Sequence, residues 1–154
     1  MPVAASLTPR ARQQVSMLRA RDRKSYDQFL IALRARGCEA LHYRLTGGEL
    51  LERICVVHLT GQLRVAVCFE SAKTATILLV GQHSDDPFLD VYAQLYTLAD
   101  LAEIPSDPRR KPRCCDDKDG SPPLVDTETL DHLVLRARQL SGADRRREQR
   151  VGRH

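Results

Sequence analysis

Arg53-Ile54-Cys55-Val56-Val57-His58-Leu59, then Thr60-Gly61-Gln62, then Leu63-Arg64-Val65-Ala66-Val67-Cys68-Phe69: this stretch decides the fold of the 154-residue chain. Two apolar, β-branched runs separated by three residues that include a glycine predict an antiparallel hairpin. In the second run Leu63, Val65, Val67 and Phe69 share one face, leaving Arg64, Ala66, Cys68 and Glu70 on the other. Glu70-Ser71-Ala72-Lys73 leads to a third run, Ala75-Thr76-Ile77-Leu78-Leu79-Val80, stopped by Gly81. It is apolar throughout, which places it inside the sheet. Upstream, Leu41, Tyr43 and Leu45 alternate with His42, Arg44 and Thr46, a further strand that ends at Thr46-Gly47-Gly48-Glu49.

Helical signals surround this sheet. Thr8-Pro9 offers a hydroxyl N-cap and a proline in the first turn. Ala11, Val15 and Leu18 then form one face. Ser25 and Gln28 have capping-box spacing, with Tyr26, Phe29, Leu30 and Leu33 as a stripe and Gly37 as the stop. Residues 8–36 are therefore a basic helical hairpin or one long, broken helix. After Ser84-Asp85-Asp86-Pro87, the residues Phe88, Val91, Tyr92, Leu95 and Ala99 define a helix face that covers the sheet. A last helix places Leu130, Leu133, Val134, Ala137 and Leu140 together, with Gly142 as its stop and an Arg-rich tail beyond. The expected fold is α+β: a helical hairpin on a small, mainly antiparallel sheet with a covering helix. Residues 1–104 form the domain, 105–126 a Pro/Asp-rich linker too polar to order itself, and 127–154 a C-terminal helix and tail.

Composition narrows the function. Residues 1–36 carry a charge of +6, residues 37–104 carry −5 and residues 105–154 carry +3, giving a net +4. No apolar run reaches the ~18 residues of a membrane span. The first residues lack the charged and apolar regions of a secretory leader, so a cytoplasmic location is expected. Five cysteines, two inside strands, point to reduced thiols rather than a disulfide framework. Cys114-Cys115-Asp116-Asp117 lacks C-x-x-C spacing, so it is expected to be a flexible loop with two thiols and no metal. There is no phosphate-binding glycine loop, dinucleotide fingerprint or His-Glu-x-x-His, and no cofactor is expected.

What remains is a looser set: Arg44, Arg53, His58, Arg64, His83 and Tyr92. Arginine neutralises a phosphate in a transition state, and histidine or tyrosine moves protons to and from ribose and leaving oxygens, so the set suits RNA cleavage. Solvated strand faces, with Tyr92 as core beside Val91 and Leu95, are the other reading of the same residues.

The element order, with Gly61-Gln62-Leu63-Arg64, Leu78-Leu79-Val80-Gly81-Gln82-His83 and Asp90-Val91-Tyr92, resembles the RelE/ParE superfamily over about residues 8–100. These are toxins of type II toxin–antitoxin modules, HigB-like members included. The resemblance implies a toxin that cleaves translated mRNA on the ribosome and is held by a cognate antitoxin. Arg64 matches the family's strand arginine, His83 the basic residue after the strand-ending glycine, and Tyr92 the late tyrosine. His58 joins them as a second acid–base candidate, with Arg44 and Arg53 as RNA contacts. Where the family's ribonucleases carry lysine and arginine on the first hairpin strand, this chain has Ile54 and Val56. The alternatives within the resemblance are a ParE-like toxin that binds a protein such as gyrase, and a toxin fold that serves only as a binding module.

Overall fold

The computed structural model of the chain describes residues 2–86, 89–99 and 112–151. Phe88, the expected domain end at Ile104–Pro108, linker residues 109–111 and the last three residues lie outside the described part. In chain order the elements are β1 (Ala4–Leu7), α1 (Pro9–Ser16), α2 (Ala20–Arg36), β2 (Tyr43–Arg44), β3 (Cys55–His58), β4 (Leu63–Ser71), β5 (Thr74–Gln82), α3 (Val91–Leu98) and α4 (Thr127–Val151). The fold is α+β, with one five-stranded sheet in the order β1-β5-β4-β3-β2. Of its four strand pairings β1–β5 is parallel and the other three are antiparallel.

The hairpin forms where the sequence places it. His58 pairs with Arg64 and Cys55 with Val67, and Gly61 takes the turn at φ 61°. The apolar third run is interior, between β4 and β1. A register shift after Ala66 leaves Leu78 as an extra residue opposite the Ala66–Val67 step. Leu78 and Leu79 consequently both join the same core, which a regular strand forbids. One sheet face packs Leu63, Val65, Val67 and Phe69 against Tyr26, Phe29 and Leu33 of α2. The other packs Val56, Ala66, Cys68 and Leu79 against Val91, Leu95 and Leu98 of α3 and Leu130, Leu133 and Ala137 of α4.

β1 was not legible in the sequence; Ala4-Ala5-Ser6-Leu7 lacks the β-branched residues that mark strands. It covers β5 only from Thr74 to Ile77. Beyond it, α1 satisfies the exposed backbone. Thr8 donates from Oγ1 to the Leu78 carbonyl at 2.7 Å while capping Ala11 N–H at 3.0 Å. Gln14 accepts the Val80 N–H at 2.8 Å. The cap at Thr8 is as expected, but the one at Ser25 is not: α2 begins at Ala20, and Ser25 lies inside it. Arg23 and Asp27 form an i,i+4 pair at 3.0 Å that supports this earlier turn. Ser25 Oγ instead accepts the Thr60 N–H of the hairpin loop at 3.2 Å. Gly37 closes α2 at φ 62°, returning its N–H to Leu33.

The largest correction concerns the cysteines and the segment that follows residue 111. Cys38 is bonded to Cys115 and Cys55 to Cys114, with Cα separations of 5.5 and 5.7 Å. All four are buried, so Cys114-Cys115 is neither a free thiol pair nor a flexible loop. Their adjacency lets one point of the chain reach both the turn after α2 and the strand β3. The odd cysteine is Cys68, buried, its thiol pushed up to about 12 by desolvation. The same segment runs beside β2, whose Arg44 N–H donates to the Pro112 carbonyl at 2.7 Å. Val125 then bonds to the Phe69 carbonyl, and α4 starts behind Asp126, whose carboxylate accepts the Thr129 N–H at 2.7 Å. α4 continues through Gly142 to Val151 rather than stopping there. Among the described residues no helix is long and apolar enough to cross a membrane.

Peptide mapping without reductant is expected to return the pairs Cys38–Cys115 and Cys55–Cys114. Reduction should destabilise the fold by roughly 2–4 kcal/mol per bridge, read as a drop in Tm; four freely alkylated thiols and an unchanged Tm would contradict the pairing.

Candidate functional site

β4 enters the sheet with a charged side chain facing the α3 side. Arg64 lies between His58 on β3 and Gly81 on β5, its cross-strand partners. Directly opposed residues hold their Cβ atoms about 5 Å apart, so the histidine and the guanidinium share one patch. Gly81 adds no side chain to the row; a Cβ there would lie 3.4 Å from Val91. Arg64 is 8 % exposed. Its Nη1 donates to the carbonyls of Gly61 and Leu63, and its Nη2 to Gln62 Oε1. Its Nε has no hydrogen-bond partner, and no carboxylate among the described residues pairs with it. A buried cation without a counter-ion is costly.

Tyrosine hydroxyls stand beside it. Tyr43 is two residues removed from His58 along β3's face, being registered with Val56. Its hydroxyl lies 3.0 Å from His58 Nε2 and 2.6 Å from the hydroxyl of Tyr92, which is itself 3.5 Å from the same nitrogen. These three groups form one hydrogen-bonded triangle. Burial first, then the Tyr92 hydroxyl, raise the Tyr43 pKa above its ordinary value, while Arg64 pulls it down. Tyr43 therefore keeps its hydroxyl proton at neutral pH. The His58 backbone N–H donates to His42 Nδ1 at 3.2 Å, which makes that ring nitrogen the unprotonated one.

A second histidine flanks Tyr92. His83 and Tyr92 rings meet edge to face with centroids 5.1 Å apart. His83 Nδ1 lies 3.0 Å from Asp90 Oδ1. Asp90 is held by its own work as the α3 cap, accepting the Ser84 N–H and the Ala93 N–H. With Nδ1 facing a carboxylate, His83 presents Nε2 outward. Its side chain is 53 % exposed.

Of the residues expected from sequence, Arg64, His58, Tyr92 and His83 thus converge at the end of the sheet where β4 begins and β5 ends. Arg44 and Arg53 do not join them. Arg44 Nε is spent on the Arg113 carbonyl. Arg53 lies before β3, at the far end of the strand from His58, where it pairs with Glu49 and donates to the Leu124 carbonyl. Two members were missed: Tyr43, because its place in the Leu41-Tyr43-Leu45 alternation marked it as core, and Asp90, whose signal was its position before a helix. Among the described residues no group of three or more His, Cys, Asp or Glu side chains is placed to hold a metal ion.

No family model matches this chain, and comparison with characterised proteins likewise gives no significant match.

The raised tyrosines set a pH dependence. Tyr26, Tyr43 and Tyr96 all ionise above their ordinary value, chiefly through burial. A proton held more tightly in the folded state stabilises it below the unfolded pKa of about 10 and is lost as pH rises through the folded pKa. Stability should therefore fall above pH ~10, and Tyr43→Phe should move that fall to higher pH. Ultraviolet titration of tyrosinate alongside Tm checks this; an unchanged alkaline transition in the variant would remove Tyr43 from the account.

Proposed function

We propose that the chain is a RelE-like toxin of a type II toxin–antitoxin module, an endoribonuclease that cuts translated mRNA. The observation that carries this reading is Arg64: a guanidinium 8 % exposed, with no carboxylate partner among the described residues, beside His58, Tyr43 and Tyr92. A phosphodiester supplies the missing anion. The order β1-α1-α2-β2-β3-β4-β5-α3 and the placement of Arg64, His83 and Tyr92 support the resemblance.

In the proposed reaction the scissile phosphate sits on Arg64. His83, oriented by Asp90, takes the proton from the ribose 2′-hydroxyl. The 2′-oxygen bonds to phosphorus and the bond from phosphorus to the 5′-oxygen breaks. Imidazolium His58, linked to Tyr43 and Tyr92, gives its Nε2 proton to the departing 5′-oxygen, leaving a 2′,3′-cyclic phosphate and a 5′-hydroxyl. Arg64 neutralises the extra charge on phosphorus oxygens as it develops. A cytoplasmic place of action and capture by an antitoxin belong to the same proposal. Glutathione in that compartment would compete with the two disulfides.

A second reading keeps the scaffold and drops the chemistry: a ParE-like toxin acting on a protein such as gyrase, or a binding module. It is favoured by Ile54 and Val56, both fully buried, which leave the first hairpin strand without an RNA-facing cation.

Induced expression is expected to arrest growth and to produce new mRNA 5′ ends, and Arg64→Met with His83→Ala should abolish both. Arg64→Met alone should not lower Tm, because it removes an uncompensated buried charge. Arrest with intact mRNA would select the protein-target reading, and toxicity retained in the double variant would sink the assignment of these residues.

A further inference from the structure

We propose that the Cys38–Cys115 bridge is a site of thiol–disulfide exchange for a small anionic thiol, and that it guards the deeper Cys55–Cys114 bridge. Together the two make residues 112–125 a reducible strap. Neither step depends on the nuclease reading.

The bridges differ in how they meet solvent. Cys38 lines a cleft of about 360 Å³, within the range of small-ligand sites. Its other walls are the end of α2, the Ala72-Lys73 turn between β4 and β5, and Gly120 and Pro122 of the strap. Cys38 and Cys115 are 5 % and 7 % exposed, whereas Cys55 and Cys114 are at 0 % and 1 %. Cys55 stands on β3, inside the sheet between β2 and β4. Exchange follows access to sulfur, so a thiolate in the cleft reaches Cys38 Sγ first.

Charge selects the thiol. Arg36 and Lys73 line the cleft against one carboxylate, Glu39. All three are exposed, and neither cation makes an ion pair among the described residues. A thiol with more carboxylate than ammonium, of which glutathione is the type, is drawn in by that balance. Its thiolate bonds to Cys38 Sγ and the Cys38–Cys115 bond breaks, Cys115 leaving as a thiolate that takes a proton from water. A second thiolate attacks the incoming sulfur of this mixed disulfide, forming the oxidised thiol and releasing Cys38. Two thiols thus pass two electrons to the bridge.

The strap has little else to keep it closed. Its ends are hydrogen-bonded to the body, Pro112 and Arg113 to Arg44, Leu124 to Arg53 and Val125 to Phe69. Its middle, residues 116–120, is exposed. Once Cys115 is free, Cys114 is the last covalent hold, and the loosened strap bares it to a second round of the same exchange. Opening both frees Arg44 and uncovers β2, the edge of the sheet.

For the test, the oxidised full-length protein is exposed to reduced glutathione, quenched by alkylation over time and mapped by mass spectrometry. Cys38 and Cys115 should be labelled first, glutathione should be trapped on Cys38, and Cys55–Cys114 should persist roughly tenfold longer. Cys38→Ser with Cys115→Ser should shorten the life of the inner bridge by a similar factor. Lys73→Glu should slow glutathione several-fold and leave the rate with mercaptoethanol, a neutral thiol, unchanged. Cys68, buried and free, reports unfolding and should stay unlabelled while the outer bridge opens. Simultaneous loss of both bridges, an inner bridge indifferent to the double variant, or glutathione on Cys115 would each overturn the site. So would equal slowing of both thiols by Lys73→Glu, or Cys68 labelled alongside Cys38.

Discussion

A guanidinium shut away from water, with no carboxylate partner among the described residues, is the constraint around which one end of this molecule is arranged. Arg64 cannot be neutralised by losing its proton, so its charge must be met by dipoles or by a ligand. The hairpin turn supplies part of the answer, since Gly61 and Leu63 aim carbonyls at Nη1 and Gln62 aims its amide oxygen at Nη2. These contacts hold the fork in place but leave Nε–H unanswered. The flanking positions follow the same logic. Gly81 lets Val91 and Gln14 pack close against the strand on one side, and on the other stands His58, which brings no fixed charge. A carboxylate at either position would settle the electrostatics.

The rest of the fold keeps that sheet end rigid. β1 is short, and the exposed edge of β5 depends on Thr8 and Gln14 for its hydrogen bonds. The Gln14 amide also meets Gln94 on α3, tying the helix that carries Tyr92 to the strand that leads to His83. On the far side, the bridges from Cys114 and Cys115 hold a segment whose residues 116–120 are exposed and polar. Burial alone would not order it. Covalent closure of loops spanning 59 and 77 residues removes unfolded-chain freedom that few apolar contacts here could offset. α4 then lies on the α3 side of the sheet, so the chain itself covers part of that apolar face.

How much of this was legible depends on whether the signal was local. The hairpin was, because Leu63 to Phe69 alternate without interruption and the loop is too short for any other pairing. The interior place of β5 followed from its unbroken apolar run, although the bulge that turns Leu78 and Leu79 to one side did not. Ser25 misled because a hydroxyl and a glutamine three residues apart are common inside helices, and its partner, Thr60 N–H, is 35 residues away. The disulfides were out of reach for the same reason: their partners are set by topology and not by spacing. That Arg64, His83 and Tyr92 lie at one end of the sheet was legible because strand alternation and element order fix their places. Arg53 and Arg44 were not separable from them, since a positive charge on a strand looks the same whether it meets a substrate or a carbonyl of its own chain.

The distribution of charge reconciles a scarcity that the sequence makes conspicuous. A surface that cuts a polyanion is expected to be basic, yet the sheet region is acidic and its first hairpin strand contributes Ile54 and Val56 to the core. Long-range attraction need not come from the surface that does the chemistry, because phosphates far from the scissile bond contribute most of the counter-ion release. Here the basic helices α1 and α2 border the same end of the sheet on which Arg64 opens. On the proposed nuclease reading, attraction and catalysis would be divided between two elements, which Gln82 joins through its bond to Asp22 at 3.2 Å. Under that division a single arginine at the phosphate suffices, provided it is buried enough for its charge to count in full. The burial of Arg64 and the thin basicity of the sheet are two consequences of one arrangement.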